Sequence, residues 1–63
     1  MNYIVTISEE DGETYEYPVE ADSVEEAFTA ALVDHFGDDF DTDIYVRDGD
    51  CINGAYVSID WEE

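Results

Sequence analysis

The segment ADSVEEAFTAALVDHFG (residues 21–37) repeats its apolar residues with a helical period, so any fold of this chain must cover the stripe they make. Val24, Ala27, Phe28, Ala31, Leu32, His35 and Phe36 fall at i, i+3, i+4, i+7 and onward. Asp22 or Ser23 supplies the N-cap, and Glu25 and Glu26 stand in the first turn, where the helix dipole favours them. With Asp22 as N-cap, Glu25 takes the third position of a capping box. His35 sits in the last turn, and Gly37 is free to adopt the left-handed conformation that ends a helix. The spacing predicts a helix from about 23 to 36, and one amphipathic helix cannot bury its own stripe.

The flanking segments supply a partner for it. NYIVTIS (2–8) alternates Tyr3, Val5 and Ile7 against Ile4 and Thr6, which marks a strand. Asp11-Gly12 signals a hairpin turn. TYEYPVEA (14–21) then alternates again, with Tyr15, Tyr17 and Val19 inward and Glu16, Pro18 and Glu20 outward. Pro18 has no ladder donor, so the expectation is that this strand sits at a sheet edge or presents that position to solvent. TDIYVR (42–47) reads as a third strand, followed by a turn at Asp48-Gly49. DCINGAYVSIDW (50–61) reads as a longer fourth strand in which Asn53-Gly54 is either a bulge or a second turn. The order is β-β-α-β-β: one α+β domain over residues 1–63, an antiparallel sheet of about four strands with the helix on one face and the other face open. Tyr3, Phe28, Phe36, Val57 and Trp61 are expected in the core, and some of Tyr15, Tyr17, Tyr45 and Tyr56 partly exposed.

A chain of 63 residues lies near the lower limit for folding without staples, and the single Cys51 allows neither an internal disulfide nor a cysteine-based zinc site. A hydrophobic fraction of 44%, with five Tyr, three Phe and one Trp, nevertheless argues for a folded domain over an acidic disordered tail. Charge is the abnormal quantity: 19 Asp and Glu stand against one basic residue, Arg47, for a net of -18. Almost no carboxylate can find an opposite partner within the chain, so self-repulsion opposes folding. Solubility alone needs a net charge of only about 2–8. Direct nucleic-acid binding is disfavoured and binding to anionic membranes excluded, because one Arg releases too few counterions and the field repels both. The start MNYIVTISEEDG has neither the basic region nor the apolar run of a signal peptide, which leads to the expectation of a cytosolic protein.

Candidate chemical sites give way to structural readings. Asp39, Asp41 and Asp43 have the spacing that opens a calcium loop, but Ile44 stands where that loop needs Gly and Asp50 where it needs a bidentate Glu. His35 lies on the buried stripe of the helix and reads as a packed or dipole-stabilised histidine. Cys51, amid negative charge, is a poor thiolate. Arg47, beside Asp48 and near Asp43 and Asp50, reads as an internal ion pair. A domain this small offers little room for a substrate cavity, so no catalytic residue, metal or cofactor is expected.

What remains is the pattern of carboxylates. Alternate strand positions lie about 6.6 Å apart on one face, comparable with the path between backbone phosphates, which advance about 3.4 Å along the DNA axis per strand. Asp41/Asp43, Asp48/Asp50 and Asp60/Glu62 have this spacing, Glu9, Glu10, Asp11 and Glu13 cluster in the first turn, and Glu25 and Glu26 open the helix. Without Glu62, and with Glu16, Asp38 and Asp39, they form the candidate binding set. EEDGETYEY, DSVEE, GDDFDTD, RDGD and DWEE, on a small helix-plus-sheet chain almost without bases, resemble the DNA-mimic inhibitors of phages and mobile elements, which include anti-restriction proteins, uracil-DNA glycosylase inhibitors and small anti-CRISPR proteins. The resemblance implies a monomer or weak dimer in the host cytosol, occluding the duplex-binding or PAM-reading surface of a CRISPR effector or Cascade subunit, or of a restriction enzyme, with the anti-CRISPR type fitting the element order best. Two other readings are a halophile-type acidic domain and a small adaptor that binds proteins through a tyrosine-bearing edge.

Overall fold

The computed structural model describes residues 1–37, 40 and 46–62 (Glu62 by its backbone only) and has the β-β-α-β-β order. The elements are β1 (Asn2–Ser8), β2 (Thr14–Glu20), α1 (Val24–Phe36), β3 (Cys51–Ile52) and β4 (Ala55–Glu62). They form one antiparallel four-stranded sheet of order β2-β1-β4-β3, with α1 packed on one face. The apolar β1 is central and Pro18 lies on the edge strand β2, as a missing ladder donor requires.

Register puts Val19, Tyr3 and Trp61 in one row across the sheet, Tyr17, Val5 and Ile59 in the next, and Tyr15, Ile7 and Val57 in the third. All face the helix. Val5, Ile7, Val57 and Ala55 are buried there against Ala27, Phe28, Ala31 and Leu32 of the helical stripe. The expected core differs at two places. Trp61 is 60% exposed, near the end of β4 and well beyond the residues that β3 covers, and Phe36 is only partly buried. Phe40 and Val46, from the acidic connector, complete the core instead, and Phe40 stacks on Phe36 with centroids 5.7 Å apart.

The second hairpin is also shorter than its sequence pattern. Residues 42–45 of the expected third strand lie outside the described residues, while Val46 and Arg47 are described and are not strand. Asp48-Gly49 makes a turn closed by the Asp50 amide donating to the Arg47 carbonyl at 3.1 Å. Asn53-Gly54 is the hairpin turn between β3 and β4, with φ of 51° and 83°. Two consecutive positive φ values are what a tight antiparallel hairpin needs, and Asn-Gly is the pair that tolerates them.

Candidate partner-binding surface

The acids divide by what local structure asks of them. In the β1–β2 turn, the Asp11 carboxylate accepts the Glu13 amide at 3.0 Å, and the Glu9 amide donates to the Glu13 carbonyl at 2.8 Å. Asp11 therefore shapes its own loop. At the helix start Ser23 is the N-cap, and its hydroxyl accepts the Glu26 amide at 3.2 Å. Glu26 reaches back to the Asp22 amide at 3.3 Å, so the reciprocal pair runs through Glu26, and Glu25 is left pointing to solvent.

Asp48 and Asp50 do not form a strand row, since both lie in the turn ahead of β3. The Asp48 carboxylate accepts the Ile59 amide at 3.0 Å, and Asp50 accepts the Arg47 amide at 2.9 Å. Between them, the Val57 amide donates to the Asp50 carbonyl at 2.8 Å. These acceptors satisfy the outer edge of β4 beyond the two-residue β3, and an edge so capped is a poor template for further strands.

Glu9 has a different neighbour. It pairs with the His35 Nε2, while Nδ1 lies 2.7 Å from the Tyr17 hydroxyl. Tyr15 and Phe36 pack on the same imidazole, with centroids 5.0 and 4.7 Å away. The chain Glu9–His35–Tyr17 joins the β1–β2 turn, the end of α1 and the edge strand. Both ring nitrogens are engaged and the side chain is only 10% exposed, so the imidazole has no free lone pair to offer a substrate or metal. Burial pushes the Tyr17 phenol above its ordinary value, and Asp34, Tyr15 and Glu9 act the same way. His35 is a structural connector.

The candidate set is thus distributed. Glu9, Glu10, Asp11 and Glu13 stand at one end of the sheet, where the Glu10 carboxylate also lies over the Asn53-Gly54 turn. Glu25 and Glu26 stand at the other end, beside the close of β2. Asp38, Asp39, Asp41 and Asp43 lie outside the described residues.

Glu16 and Asp60 are exposed on the sheet face opposite the helix, and register adds Glu20, which the candidate set omitted although the alternation of β2 had already turned it outward. Across that face run the rows Glu20–Asn2, Pro18–Ile4–Asp60, Glu16–Thr6–Ser58 and Thr14–Ser8–Tyr56. Charge lies on the outer columns, and the central column, β1, is neutral. Among the described residues Glu16, Glu20 and Asp60 make no ion pair or side-chain hydrogen bond, and nothing packs over them. Comparison with protein-family models, with curated proteins and with solved structures returned no match to this chain.

Proposed function

We propose that the chain is a DNA-mimic inhibitor that occupies the basic duplex-binding or PAM-reading surface of a host defence nuclease complex, acting as an anti-CRISPR protein. The observation that carries this is a net charge of -18 held on a sheet-and-helix scaffold whose described carboxylates, apart from the half-buried Glu9 and Asp50, are all exposed. Neutralising partners within the chain are almost absent, so the field is directed outward and favours a cationic surface. The long axis of 31 Å matches about nine base-pair steps of 3.4 Å.

The decisive test is competition. A pull-down from host lysate, eluted by salt, yields the partner, and the purified partner is then titrated with labelled duplex at several concentrations of this protein. The apparent Kd for duplex should rise in proportion to inhibitor, with no species containing all three components. A stable ternary complex would rule the proposal out. It would favour the adaptor reading, which draws on Tyr56 and Trp61, exposed by 50% and 60%.

A further inference from the structure

We infer that the helix-free face of the sheet is the docking surface, and that it receives a helix of the basic partner with Lys or Arg along both flanks. This rests on the mimic reading and adds to it which face acts and what it takes. Along β1 the open face presents Asn2, Ile4, Thr6 and Ser8, all uncharged, with Ile4 half-buried and outside the core cluster. Glu16 and Glu20 flank this column on β2, and Asp60 flanks it on β4.

The dimensions fit a helix. Adjacent strands lie about 4.8 Å apart, so the two charged columns are about 10 Å apart at the backbone, against a helix diameter of about 10–12 Å with side chains. Glu16 and Glu20 are about 13 Å apart along the strand, close to the roughly 11 Å of two helical turns. A helix laid along β1 would set its neutral side on Ile4 and Thr6 and its bases over the columns on either side. Duplex DNA makes the same offer, since its major groove, about 12 Å wide, admits an α-helix between two rows of phosphates.

No other described surface combines these features. The opposite face of the sheet is covered by α1, and in the β1–β2 turn Glu9 and Asp11 already serve His35 and the loop.

The probe is a synthetic helical peptide with lysines on two flanks and an alanine stripe between them, titrated into isotope-labelled protein at low salt and followed by amide chemical shifts. The expected shifts map to Ile4, Thr6, Glu16, Ser58 and Asp60. The variant Glu16→Gln/Glu20→Gln/Asp60→Gln should bind about tenfold more weakly, from three lost exposed pairs. Asp22→Asn/Asp34→Asn, which removes two exposed acids that lie off this face and outside the candidate set, should lose no more than about twofold. Shifts centred on α1 or the 9–13 turn, or equal losses in both variants, would overturn the inference. The two claims separate in the duplex-displacement assay: an open-face variant that displaces duplex as well as wild type removes this face and leaves mimicry standing. A wild-type chain that displaces no duplex removes mimicry itself, and with it the class of partner named here.

Discussion

At the residue scale, the Glu9–His35–Tyr17 chain turns an isolated histidine into a fastener between two ends of the sequence. Tyr17 gives it a pH signature. Its folded phenol is raised above the ordinary 10.0, so the unfolded chain releases the proton first. The stability it contributes is therefore complete below about pH 10 and is lost as pH rises through the folded value. Urea unfolding at pH 7 and pH 11 should show Tyr17→Phe to be about 1 kcal/mol less stable at the lower pH and to lose less than wild type on going to the higher one. An identical alkaline loss in both would remove Tyr17 as its source. Size alone misleads about the core: Phe28 is 1% exposed and Trp61 is 60% exposed. Phe28→Ala should cost about 3–5 kcal/mol, comparable with all that a core of this size supplies, whereas Trp61→Ala should leave a cooperative thermal transition.

At the element scale, turns decide more than strand patterns. Gly54 has φ of 83°, and a Cβ there would stand 3.0 Å from the Glu10 carboxylate oxygen. Gly54→Ala should therefore lower the melting temperature by several degrees, as expected for about 1–2 kcal/mol in a domain of this size. An unchanged melting temperature would mean that the β3–β4 turn is not where the chain reverses. The helix, the first hairpin and the edge position of β2 were legible because apolar period and glycine turns agree in residues 2–37. The second half was less so. Asp48-Gly49 and Asn53-Gly54 are both good turn signals five residues apart, and only pairing with β4 distinguishes the hairpin turn from the one before it. Phe40 stands amid aspartates with no period, and Val46 reads only as one residue of a strand, so the burial of both was hidden. The candidate surface was legible as composition and as the alternation of β2. Which acids share a face depended on the β1–β4 pairing, which no local pattern encodes.

At the scale of the whole molecule, the question is whether -18 is carried as an ordered array or merely as charge. A halophile-type domain needs molar salt to fold. A mimic must be folded where its basic partner still binds, since salt shortens the range of the attraction from about 10 Å at 0.1 M to about 3 Å at 1 M. Dispersed amide spectra at 50 mM salt are the expected result, and a collapsed spectrum that sharpens only in molar salt would favour the halophile reading. The most direct measurement compares the native chain with Phe28→Ala/Leu32→Ala, which keeps every charge and loses the core, as competitors of duplex for the purified partner. Mimicry by a fixed array predicts that the folded chain displaces duplex at least about tenfold more effectively than its unfolded counterpart of equal charge. Equal displacement by the two would contradict it, because polyanionic charge without shape would then be sufficient.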